Sequence, residues 1–118
     1  MPLRPTDIVD DVLRVLTRAG GRSGGPHFLT AHQVLNRLPG RIRNRLIRER
    51  GRAGAGSGHY YASASVVAGA AKILRSRSRV DMQWLDTRGL RLQCDGESVQ
   101  AGHRSGALYR VYTAESKV

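Results

Sequence analysis

The sequence predicts an α+β fold in which N-terminal helices precede a small antiparallel sheet. Three observations carry this expectation. Apolar residues recur at helical spacing as far as Leu74, and Thr30 and Gln33 form a capping-box pattern that marks one helix start. From Val80 the apolar period changes to two, and Asp95-Gly96 supplies a strong hairpin-turn signal. At 118 residues, the chain has the size of one domain with its own core, and residues 1–118 are read as such.

Each element has a local reason. The first helix is expected over about 6–19, with Thr6 as its N-cap, Asp7, Asp10 and Asp11 in the opening turns, and Gly20 as the left-handed residue beyond its end. Ile8, Val9, Val12, Leu13, Val15 and Leu16 form its broad apolar face. A flexible Gly-rich connection over 20–26 leads to the second helix, over 31–37. There Thr30 and Gln33 cap each other, and Leu29 with Val34 forms a hydrophobic staple. Pro39-Gly40 redirects the chain into a third helix over 40–50. A second flexible Gly-rich loop, over 51–58, precedes a fourth helix at 63–74, with Ser63 as its cap.

Strands are expected between about 80 and 112. Val80, Met82 and Trp84 alternate with Asp81 and Gln83, Asp86–Gly89 connects to a strand carrying Leu90, Leu92 and Cys94, and 97–100 returns from the Asp95-Gly96 turn. Residues Leu108–Tyr112 form a last strand, central or at an edge, in a sheet of three or four strands.

Charge is the most informative functional property. Between Arg14 and Arg79 stand fourteen Lys/Arg residues and one acid, Glu49, whereas the two flanks are slightly acidic and neutral. Concentrating like charges costs self-repulsion that a polyanion relieves, so nucleic acid is the first partner to consider. On the third helix Arg41, Asn44, Arg45 and Arg48 share the face opposite Ile42 and Leu46, forming an arginine row with no neutralising acid expected beside it. Arg43 and Arg50 lie nearer the apolar side, where their stems can pack. Arg52 in the loop, Lys72 and Arg75 on the fourth helix, and Arg77 and Arg79 at its exit extend the positive set. Ser65, Gly69, Lys72 and Ser76 mark the outer face of that helix. Arg41, Arg43, Arg45, Arg48, Arg52, Ser65, Lys72, Arg75, Arg77 and Arg79 are therefore the candidate nucleic-acid-binding residues.

Other chemistries find less support. The Gly-rich loop at 51–58 is not closed by Gly-Lys-Ser/Thr, so a mobile linker is favoured over a phosphate cradle. The four His and single Cys show no zinc spacing, and His32 reads as a surface residue at the start of its helix. Asp81, Asp86, Asp95 and Glu97 are not gathered by any motif that would hold Mg²⁺, and no catalytic constellation emerges. No enzyme activity, cofactor or metal is expected. Cys94 reads as a small core residue in a reducing compartment. No apolar run is long enough for a membrane span, and MPLRPTD lacks the apolar core of a signal peptide, so the expected location is cytoplasmic. The Arg-rich, Lys-poor composition points to a bacterial or phage source.

Two resemblances add to this reading. The stretch Phe28-Leu-Thr-Ala-His-Gln-Val-Leu-Asn-Arg-Leu-Pro39, together with residues 45–51, 65–67 and 85–90, resembles a group of small proteins carried by integrating and conjugative elements of proteobacteria. That likeness implies a mobile-element setting and transfers no residue roles. The order of capped helix, further helices and β-hairpin also resembles a winged helix. In that register Ser63–Leu74 is the recognition helix and Asp95-Gly96 or Asp86–Gly89 tips the wing, while the competing register places the arginine helix in the groove. The loop at 51–58 is longer than the usual helix-turn-helix connection.

The leading expectation is a non-enzymatic protein binding double-stranded DNA through a basic helical face, with RNA as a further candidate. The alternative is a protein-interaction module that inhibits or modulates a host defence complex in the manner of an anti-CRISPR, or a replication complex. Oligomeric state is left open.

Overall fold

The computed structural model describes residues 2–20, 25–50, 61–94, 97–100 and 105–112. The Gly-rich loop expected at 51–58, with Arg52, His59 and Tyr60, lies outside the described residues, as do most of the 20–26 connection and the Asp95-Gly96 turn. His103 and the side chains of Leu92, Cys94 and Glu97 lie outside them too.

The architecture is α+β, with helices followed by a three-stranded antiparallel sheet. Helix α1 spans Val9–Arg18, β1 Leu29–Thr30, α2 Ala31–Arg37, α3 Gly40–Arg50 and α4 Tyr61–Ser76. Strands β2 Val80–Asp86, β3 Arg91–Cys94, β4 Glu97–Gln100 and β5 Ser105–Val111 follow. Ile8, Val12, Leu16, Val34, Leu35, Leu46, Val67, Leu74, Val80 and Tyr109 are fully buried and form the centre of one core shared by helices and sheet. Tyr109 is the largest of them, and its phenol is pushed above its ordinary pKa by burial, an effect tempered by the nearby Arg75 charge.

Several local expectations change. The first helix does not begin at Thr6. Pro5–Asp7 makes a single 3₁₀ turn in which the Asp7 carboxylate accepts the Arg4 amide at 2.8 Å, and α1 starts after Ile8. Its end is also shorter than expected: Ala19 is extended, and Gly20, at φ 124°, bridges to Pro26. Ser63 is not a cap, because α4 already runs from Tyr61. Its buried hydroxyl instead donates to the Leu46 carbonyl at 3.3 Å and ties α4 to α3.

The second helix forms as its sequence dictates. The Gln33 amide donates to Thr30 Oγ1 at 3.2 Å, the Thr30 amide donates to Gln33 Oε1 at 2.9 Å, and the staple residues Leu29 and Val34 are both buried. His32 is buried rather than on the surface, and burial pushes its imidazole below the usual pKa.

The sheet differs most from expectation. Strand β2 does not pair with β3. It pairs along its whole length with β5, from Val80 opposite Val111 to Asp86 opposite Ser105, and β1 adds to the other edge of β5 through Leu29 opposite Tyr109. The order is β1-β5-β2, so the last strand is central and begins at Ser105. Strands β3 and β4 form a separate two-stranded ladder between them in the chain. At the end of β2, Asp86 accepts the Arg88 amide at 3.0 Å and the Arg88 guanidinium at 2.7 Å, closing the turn that separates the two ladders in the chain.

Candidate nucleic-acid interface

The N-terminal segment packs against both α3 and α4. The Leu3 amide donates to Glu49 Oε1 at 2.7 Å, and the Leu3 carbonyl accepts from Arg50 Nη2 at 3.0 Å. Two residues on, Pro5 lies over Gly69, where an added Cβ would stand 2.7 Å from Pro5 Cγ. Gly69 thus belongs to a packed contact, not to the free outer face of α4, and its missing side chain is what admits the proline ring.

On α3, Ile42 and Leu46 are buried while Arg41, Asn44 and Arg48 are exposed, as the helical spacing requires. The arginine row is not uniform, however. Arg45 Nε donates to Glu49 Oε2 at 2.7 Å, an i,i+4 ion pair that neutralises the middle member. The expectation of a row without a nearby acid is therefore corrected. The Glu49 carboxyl is held below its usual pKa first by the Leu3 amide and then by Arg45. Arg43 is half-buried and donates to Asn44 Oδ1 at 3.1 Å, and Arg50 is engaged with Leu3. Arg41 and Arg48 remain exposed, with no carboxylate partner among the described residues.

On α4, Ser63, Val67, Ala70 and Leu74 face the core, whereas Ser65, Lys72, Arg75 and Ser76 are exposed. The helix stops in a Schellman motif: the Arg79 amide donates to the Leu74 carbonyl at 2.8 Å and the Ser78 amide to the Arg75 carbonyl at 3.0 Å. Ser78 takes the left-handed conformation this needs, at φ 57°. The turn carries Arg77 and Arg79 out of the helix, both exposed. Lys72, Arg75, Arg77 and Arg79 form no ion pair with a carboxylate among the described residues. Arg75 instead reaches Met82 Sδ on β2, at 3.9 Å.

The candidates thus fall into two groups rather than one cluster. Arg41 and Arg48 lie on α3, which meets α4 at Ser63. Arg75 lies twelve residues beyond that contact, about 18 Å along the helix axis, beside the start of β2. Arg52 lies outside the described residues.

Three further features escape the sequence reading. Arg14, Arg18 and Arg37, with Asp11, Val15 and Pro39, line a cleft of about 310 Å³ between α1 and the α2–α3 elbow. Asp11 partly offsets this charge, 3.6 Å from Arg14. Arg110, on the central strand, stacks its guanidinium over Phe28 at 4.5 Å, so this cation is occupied in the fold. Trp84, which shares its face of β2 with Val80 and Met82, is 69% exposed. The i,i+4 spacing of Arg45 and Glu49 was visible in the sequence; no local signal marks the other features.

Among the described residues, no three His, Cys, Asp or Glu side chains are grouped to hold a metal ion, and no helix is long and apolar enough to cross a membrane. No protein-family model, curated protein or solved structure gives a significant match to the chain.

Proposed function

We propose that this protein is a non-enzymatic, winged-helix-like protein that binds duplex DNA, acting in the mobile-element setting its sequence suggests. The observation that carries the reading is the set Lys72, Arg75, Arg77 and Arg79, exposed at the end of α4 and lacking carboxylate partners among the described residues. Four uncompensated cations at one helix end and its exit turn suit a run of phosphates.

The strand order β1-β5-β2 supports the winged-helix part of the proposal. A short strand just before α2 joins a sheet completed by two long strands after α4, an order that a winged helix also has, and in this reading α4 is the recognition helix. Two departures accompany it: α3 intervenes between α2 and α4, and the β3–β4 ladder is inserted between the long strands. In this reading Lys72 and Arg75 face the groove, Arg77 and Arg79 hold phosphates, and Arg41 and Arg48 add contacts from α3, while Ser65 stands on the far side of the Pro5–Gly69 contact. Most of these contacts position the protein without reading bases, so sequence preference is modest.

Fluorescence anisotropy with a labelled duplex tests the reading. Binding that weakens steeply with salt is expected, and replacement of Arg75, Arg77 and Arg79 by Ala should lower the slope of log K against log[salt] by roughly 0.9 per lost phosphate contact. Absence of binding at low salt, with recovery of a stable stoichiometric protein complex instead, would favour the interaction-module alternative.

A further inference from the structure

We propose that Trp84 is a nucleotide-contacting residue, which places its indole against the base or deoxyribose surface of the duplex held by the end of α4. The inference rests on the duplex-binding reading above and extends it from phosphate contacts to an apolar one.

The argument begins with the strand. Val80, Met82 and Trp84 share one face of β2, and along that face exposure rises from buried Val80 through half-buried Met82 to Trp84 at 69%. The ribbon of β2 and β5 therefore runs beyond the core, carrying its largest apolar side chain into solvent. Directly across the ladder stands Ala107, too small to cover an indole. Trp84 is the one large hydrophobic side chain exposed among the described residues. Leaving so large an apolar surface in water forgoes the gain that burial elsewhere would bring.

The surroundings select the occupant. Met82, two residues before Trp84 on the same face, touches Arg75, and Arg75 belongs to the cationic set that continues through Arg77 and Arg79. Asp86, the next residue on that face, is taken up by Arg88, and an exposed indole two strand positions beyond the residue that Arg75 touches suits a polymer that offers phosphates together with apolar sugar and base-edge surface. A duplex presents both along its backbone and grooves, whereas an acidic protein surface offers the charge without a regular array of sugars. The chain also contains a single Trp, so its emission reports on this position alone.

The experiment follows from that last fact. The full-length protein is titrated with an unlabelled duplex while Trp emission is followed, and in parallel with a labelled duplex by anisotropy. Quenching of the emission that saturates together with the anisotropy is expected. Trp84→Ala should bind roughly tenfold or more weakly, and Trp84→Phe should recover most of the loss because an apolar ring remains to be buried. Circular dichroism melts of both variants show whether they fold. Anisotropy binding with unchanged emission, and full affinity in a folded Trp84→Ala variant, overturns the inference and leaves duplex binding standing. No anisotropy binding in the wild type removes both. A Trp84→Ala variant that loses self-association in sedimentation but binds duplex normally assigns the indole to a second copy of the chain, and likewise overturns the inference.

Discussion

Arg45 Nε lies 2.7 Å from Glu49 Oε2, and the other oxygen of that carboxylate accepts the Leu3 amide. One acid thus neutralises the middle of the arginine row and anchors the N-terminal segment. The members of the row are consequently unequal. Arg41→Ala and Arg48→Ala should each reduce the salt slope of duplex binding by about 0.9, and Arg45→Ala by clearly less. Anisotropy titrations at four salt concentrations resolve the difference, and equal slopes for all three variants would refute the inequality.

The contact between Pro5 and Gly69 gives a steric prediction. A Cβ at position 69 would stand 2.7 Å from Pro5 Cγ and 3.0 Å from Pro5 Cβ, and a proline ring has little freedom to yield. Gly69→Ala should therefore lower stability by about 1–3 kcal/mol, the range for overpacking. In a Pro5→Gly background the same substitution should cost markedly less, because both opposing atoms are gone. Urea denaturation of the four proteins measures the coupling.

Ser78 is the one described non-Gly residue with positive φ, and it occupies the position in a Schellman motif that Gly favours. Ser78→Gly should raise stability by about 0.5–1 kcal/mol by removing the left-handed penalty, and Ser78→Val should lower it. Thermal melts test both. Duplex affinity should change little with Gly, since the motif that aims Arg77 and Arg79 is preserved.

Burial of His32 predicts a pH dependence of stability. Its folded pKa lies below the usual 6.5 because the charged form is desolvated. The unfolded chain therefore binds the proton more readily, so the contribution is complete above about pH 6.5 and declines as pH falls below it. Glu49, whose folded pKa is also depressed, acts in a separate lower window: its contribution is present above the usual 4.5 and is lost as pH falls through the folded value. A His32→Gln variant should show a flatter stability profile between pH 7 and 5 while retaining the acid limb near Glu49. An unchanged profile in the upper window would assign that dependence elsewhere.

Features of short sequence range were the legible ones. Thr30 and Gln33 are three residues apart, so their reciprocal hydrogen bonds follow from local geometry once the helix forms. The two faces of α3 followed from helical spacing for Ile42, Leu46, Arg41 and Arg48. The same spacing joins Arg45 to Glu49, a pairing that follows from local geometry alone. By contrast, Ser63 looked like a cap because Ser favours caps. Its hydroxyl instead finds the Leu46 carbonyl, a partner seventeen residues away that local propensity cannot reveal.

The sequence alone determined where backbone groups within a few residues could satisfy one another, and it concentrated the positive charge in the middle of the chain. Those outcomes depend on near neighbours and on composition. Only the tertiary structure decided that β5 is the central strand between β1 and β2, that Pro5 occupies the space left by Gly69, and that Trp84 points into solvent while Val80 is buried. Strand pairing and close packing depend on which distant surfaces meet. The period-two pattern shared by Val80, Met82 and Trp84 places them on one face but does not say where the core beneath that face ends.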